Sequence, residues 1–195
     1  MKKLLLMTAV AVFGFTNINA QDDSTTGGFA KGDVYVSGSV GFSNTKIADF
    51  KSNEFTFSPE VGFFLTENIS LEAGLIIGSS EDFNEDKSSS FGGAIGANYF
   101  FTPAKQFSFM VGAGVAYTST KFEPNGGGEL SIDTFAFAVA PGVNYFVSDC
   151  IALRASFGSL SYASAKDDSE GAEATNTFGL NLDLTNINFG ITYKF

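Results

Sequence analysis

Ile187-Asn188-Phe189-Gly190-Ile191-Thr192-Tyr193-Lys194-Phe195, at the carboxyl end, is the stretch that decides the fold. Its odd positions are apolar and mostly large, while its even positions are small or polar. A period of two belongs to an extended strand whose two faces meet different surroundings. The large face asks for an apolar medium, and the small face suits a narrow interior.

The same alternation recurs upstream in strand-length segments. Asp33 to Ser43 sets Val34, Val36, Val40 and Phe42 against Tyr35, Ser37 and Ser39. Glu54 to Leu65 sets Phe55, Phe57, Val61 and Phe63 against Glu60 and Gly62. Ile69 to Ser79 sets Ile69, Leu71 and Leu75 against Glu72 and Gly74. Ser90 to Phe101 sets Phe91, Ile95, Tyr99 and Phe101 against Gly92, Gly96 and Asn98. Phe107 to Thr118 sets Phe109, Val111 and Tyr117 against Gly112 and Gly114. Ile132 to Phe146 sets Phe135, Phe137 and Tyr145 against Ala136 and Asn144. Ile151 to Leu160 sets Ile151, Leu153, Ala155 and Phe157 against Arg154, Ser156 and Gly158. With the terminal strand these make an all-β chain: an eight-stranded antiparallel up-and-down barrel whose large face meets lipid and whose small face lines the bore.

Connections alternate in length, as they do between the two rims of such a barrel. Short ones fall at 66–68, 102–106 and 148–150; long polar loops are expected at 44–53, 80–89, 119–129 and 163–176. Near the end the phase slips: Phe178, Leu180, Leu182 and Leu184 alternate on even numbers, Ile187 to Phe195 on odd ones. A two-residue hairpin at Thr185-Asn186 would make nine strands, whereas a bulge keeps eight, and the bulge is preferred.

Three hairpins share a pattern at the short turns: Phe63-Phe64-Leu65-Thr66, Tyr99-Phe100-Phe101-Thr102 and Tyr145-Phe146-Val147-Ser148. Aromatic rings settle at headgroup depth, so these read as a girdle marking one edge of the apolar band.

The first residues are of another kind. Basic Met1-Lys2-Lys3, an apolar run from Leu4 to Phe15 and small Ala20 before Gln21 form a signal peptide cut after residue 20. Residues 21–32 are polar and Gly-rich, a flexible lead-in, and residues 33–195 form the barrel. The expected location is the outer membrane. The net charge of −10 deepens once Lys2 and Lys3 are removed, which excludes nucleic acid as a partner. Cys150 is the sole cysteine and forms no internal disulfide.

The chain resembles the small outer-membrane β-barrel family of OmpA-type and OmpX-type proteins, in particular the short versions labelled "porin family". The resemblance rests on the signal peptide, the seven preceding strands and the terminal Phe195 with Tyr193, Ile191 and Phe189 behind it at steps of two. It implies that these four residues are the insertion signal read by the barrel-insertion machinery. It also implies no peptidoglycan-binding domain of the full OmpA type.

No histidine occurs in the sequence, so Ser-His-Asp and Cys-His catalysis and His-held metals are excluded. Barrel-type proteases and acyltransferases depend on such a histidine. The acidic loop clusters lack EF-hand spacing, and Asn125-Gly126-Gly127-Gly128 lacks the context of a phosphate loop. No catalytic, cofactor or metal site is expected. The charges that matter are Glu60, Glu72 and Arg154, all on the small-residue face and hence inward. Inward ions need partners, so Arg154 is expected to reach Glu72 across the bore, with Glu60 in reserve. Replacing lumen Gly74 or Gly112 by Ser is expected to be milder than placing Arg at lipid-facing Leu75 or Val111. The expected function is non-enzymatic: a monomeric structural or surface-interaction barrel in contact with lipid and lipopolysaccharide. A narrow porin-like channel is the alternative.

Overall fold

The computed structural model describes residues 27–47, 50–181 and 188–195. Its strands are β1 (Val34–Ile47), β2 (Phe50–Phe64), β3 (Ile69–Glu81), β4 (Lys87–Phe100), β5 (Phe107–Glu123), β6 (Leu130–Phe146), β7 (Ile151–Ser156), β8 (Ser159–Asp167), β9 (Thr175–Asn181) and β10 (Asn188–Lys194). Neighbours along the chain pair antiparallel from β1 to β6. β7 and β8 follow each other along β6 as one stave. β9 lies on β8, and β10 lies between β7 and β1, closing the wall from Tyr35↔Lys194 to Gly38↔Ile191. The result is a closed antiparallel barrel of eight staves. Closure runs through the lower part of β1 on β10, where a strand in lipid could not tolerate an unpaired edge; among the described residues β9 pairs with β8 alone.

The break between β7 and β8 is a bulge. Ser156 pairs with Gly142, but Leu160 pairs with Val139, so this stave carries one residue more than β6. Gly158 supplies the left-handed backbone at φ 64° that such a bulge uses. The extra residue reverses the faces: Leu153 points out below it, Leu160 and Tyr162 above it. Phe157, expected on the lipid face, is therefore buried in the interior cluster. β9 and β10 run in the same direction, each antiparallel to its half of the seventh stave. Their outward phases differ, with Phe178 and Leu180 on even numbers and Phe189, Ile191 and Tyr193 on odd. The slip itself, at Thr185-Asn186, lies outside the described residues.

The long loops shrink relative to expectation. Asn44 pairs with Asn53 and Ile47 with Phe50; Glu81 pairs with Lys87; Phe122 pairs with Leu130; Ala165 pairs with Thr175. Only 48–49, 82–86, 124–129 and 168–174 connect these hairpins. The polar stretches remain in the ladder because backbone pairing needs no apolar side chain. The alternation fades where the lipid ends, not where the strand does.

Outward positions carry the apolar band: Phe42 (76% exposed), Phe91, Ile95, Phe178 (72%), Leu180 and Ile191 stand free of the protein's own packing. At the short-turn rim, Tyr99 and Phe101, Phe107 and Phe109, and Tyr193 and Phe195 meet edge to face at about 5 Å. These outward rings form the girdle. The second aromatics of the three hairpins do not: Phe64, Phe100 and Phe146 are fully buried and face inward.

Candidate functional site in the bore

The inward rings meet at the short-turn end. Phe29, from the segment before β1, is 2% exposed, with its ring centroid 4.6 Å from Phe64, 4.9 Å from Phe146, 5.1 Å from Tyr35 and 5.6 Å from Phe100. Residues 27–32, expected to be flexible, are thus seated in the barrel end. The Phe29 N–H donates to Pro103 O at 2.7 Å and the Gly32 N–H to Phe64 O at 2.9 Å. Lys194 Nζ donates to Gly28 O at 2.5 Å and lies 3.7 Å from Asp33 Oδ2. Parity already marks Phe64, Phe100 and Phe146 as inward in the sequence, one step out of phase with their lipid-facing neighbours. Nothing local marks Phe29, whose partners come from four distant strands.

Polar groups cross the bore directly above this floor. Arg154, on β7, donates through Nη1 to Glu72 Oε1 on β3; both side chains are almost fully enclosed, at 11% and 13% exposure. Tyr35 Oη lies 2.6 Å from Glu72 Oε1 and 2.7 Å from Ser70 Oγ, and Asn98 Nδ2 donates to Glu72 Oε2 at 2.6 Å. The guanidinium carbon stands 5.3 Å from the Tyr35 ring centroid and 5.7 Å from that of Phe100, in range of cation–π attraction. Gly62 makes room for this: a Cβ there would lie 2.1 Å from Tyr35 Cζ. Glu60 stands apart, accepting from Ser37 Oγ at 3.1 Å. It lines a cavity of about 110 Å³ with Ser37, Arg154 and Ser156.

Chemically, the cluster places one guanidinium against a carboxylate whose two oxygens take donors from Arg154, Tyr35 and Asn98. That suits holding opposite walls together: the capacity of the carboxylate is met, while the buried Nε and Nη2 of Arg154 have no hydrogen-bond partner among the described residues and lie beside the Tyr35 and Phe100 rings. Among the described residues, no group of three or more His, Cys, Asp or Glu gathers to hold a metal. Phe189, Ile191, Tyr193 and Phe195 all lie on the exposed outer surface of the last stave, remote from the bore. Asn98 and Tyr35 were not foreseen as partners of Glu72.

At the other end, a second cavity of about 470 Å³ lies among the upper ends of β1 to β5, lined by Phe42 and Phe55 with Lys87, Lys121, Glu54 and Glu81. Its mixed lining faces the loop side.

The family model for the outer membrane protein beta-barrel domain matches residues 8–195. No curated protein sequence matches the chain. Solved structures similar to it include outer membrane protein OprG from Pseudomonas aeruginosa: 13% identity, TM-score 0.54, covering 86% of this chain and 98% of that one. Neisserial surface protein A is also similar, at 14% identity and TM-score 0.51, covering 83% and 97%. The N-terminal β-barrel domain of Pseudomonas aeruginosa OprF matches at 17% identity and TM-score 0.50, covering 86% and 100%. At these identities the likeness concerns the fold.

Proposed function

We propose that this chain, which belongs to the outer membrane protein beta-barrel domain family, is a non-enzymatic barrel that serves the outer membrane as a structural and surface-interaction element rather than as an open pore. The observation that carries this reading is the filled bore: the Arg154–Glu72 bridge spans the wall directly above five packed rings. Eight staves leave an interior that side chains can fill, and here they do. The loop end instead presents a mixed apolar and charged cavity.

In this reading, residues 1–20 are removed on export and the terminal Phe195 strand addresses the chain to the insertion machinery. The short turns then face the periplasm and the longer loops the exterior. Exposed Lys46, Lys51, Lys87, Lys121 and Lys166 sit on the upper strand ends, beyond the apolar band, where anionic lipopolysaccharide headgroups would meet them. Planar-bilayer recording of the refolded full chain is the test. Absence of single-channel steps in salt supports a surface role; steady conductance overturns it in favour of the narrow channel.

A further inference from the structure

The geometry points to residues Gly27–Asp33 acting as a plug: a separate piece of chain that seals the short-turn end of the barrel and keeps water from the underside of the Arg154–Glu72 bridge. Four rings, from β1, β2, β4 and β6, surround one position at that end, and Phe29 fills it. The three inward rings of the hairpin repeat are thereby accounted for as the seat.

Three features distinguish a plug from ordinary core. The segment belongs to no ladder, and the wall closes through β1 and β10 without it. Its approach is shaped for close seating. Gly27 takes φ 77°, and a Cβ there would lie 2.5 Å from Phe146 Cδ1 and 2.6 Å from Ser148 O; one on Gly28 would lie 2.7 Å from Ala104 O. Finally, its tethers are spread around the rim: Pro103 on the β4–β5 turn, Phe64 at the end of β2, and Lys194 at the end of β10. Lys194 also stands 5.7 Å from the Phe146 ring centroid, so one ammonium touches segment, seat and last stave together. A strap held at the perimeter with one ring in the centre can leave as a unit without breaking a strand pair.

The test is accessibility of the bore from the short-turn end, in the refolded full mature chain carrying Cys150→Ser. Ala152→Cys places a thiol at a fully buried inward position, paired with Phe146 and one step below the bridge. Ser156→Cys places one above the bridge, as the control for entry from the loop side. A water-soluble maleimide should label the 156 thiol at the same rate in every background. The 152 thiol should be protected with the native segment and labelled at least tenfold faster with Phe29→Ala. Gly27→Val, which evicts the segment but leaves all five rings in the chain, should do the same and covers failure of the first variant to fold. Heat-modifiable gel mobility verifies the barrel in each case. Rapid labelling at 152 in the native background would show that the floor leaks. Continued protection in folded Phe29→Ala or Gly27→Val would show that the four seat rings seal the end by themselves. Either result overturns the plug.

Discussion

Arg154 is the sole arginine of the chain, and its value lies in what it neutralises. Arg154→Met strands Glu72 among Tyr35 and Asn98 in an enclosed site. It should cost about 3–5 kcal/mol, the range for breaking one side of a buried pair. Adding Glu72→Gln should return much of that loss, because the amide oxygen accepts from Tyr35 and, with the Asn98 amide turned over, the amide NH2 donates to Asn98 Oδ1. Urea unfolding of the refolded barrel, run as a double-mutant cycle, should give a coupling of about 0.5–3 kcal/mol for Arg154 with Glu72, and a smaller one with Glu60, which bonds to Ser37 instead. Equal coupling to both carboxylates would refute this pairing. The inward glycines need a revision at the same scale. A Cβ on Gly112 would lie 2.5 Å from Asn98 Oδ1, and one on Gly74 would lie 2.6 Å from Glu60 Cγ and 2.8 Å from Pro59 O. Facing the bore does not make these sites tolerant, because neighbouring atoms already occupy the space a Cβ would take. Gly112→Ser should cost about 1–3 kcal/mol by overpacking and should also loosen Asn98 from Glu72. Stability within error of the parent would show slack that the distances deny.

At the scale of the strand, the two faces carry different penalties. Leu75→Arg or Val111→Arg puts a charge on the lipid side and should cost roughly 2–4 kcal/mol near the midplane, read by the same urea titration in lipid. The seventh stave offers a sharper check. Gly158 holds a left-handed backbone at the bulge, so Gly158→Ala should cost about 1–2 kcal/mol from the Cβ alone. If Gly158→Ala leaves stability unchanged, Phe157 and its parity reversal do not depend on this conformation. The bulge also shows why Phe157 was assigned to the wrong face. Phe157 fits the odd phase of Ile151, Leu153 and Ala155, and the inserted residue shows only beyond it, where Leu160 and Tyr162 fall on even numbers.

For the whole molecule, the decisive property is which rim faces out. Protease added to intact cells should nick the connection 168–174 and spare 101–106, as mass spectrometry of the fragments would report. Cleavage confined to the short turns would invert the topology. The corrected loop bounds make this test stricter, since Ala163 and Ala165 are buried wall residues and not loop. The closed wall and the seated amino-terminal segment also join the two ends of the chain through Lys194, Gly28 and Asp33. Barrel closure and plug seating are therefore neighbouring events in space but separable ones in bonding.

The sequence by itself determined the number of staves, the outward face of nearly all of them and the inward direction of Glu60, Glu72 and Arg154. All of these follow from a period of two read against one lipid boundary, a strictly local signal. The sequence also leads one to expect Arg154 opposite Glu72; only the tertiary structure added Tyr35, Ser70 and Asn98 to that pair. Tyr35, Ser70, Glu72, Asn98 and Arg154 come together because closure carries β7 across from β3, and no spacing along the chain encodes that distance. The same holds for Phe29, whose seat exists only when β1, β2, β4 and β6 already stand in a ring. Strand ends, too, were set by pairing partners rather than by hydropathy, because a backbone ladder continues past the membrane wherever its neighbour does.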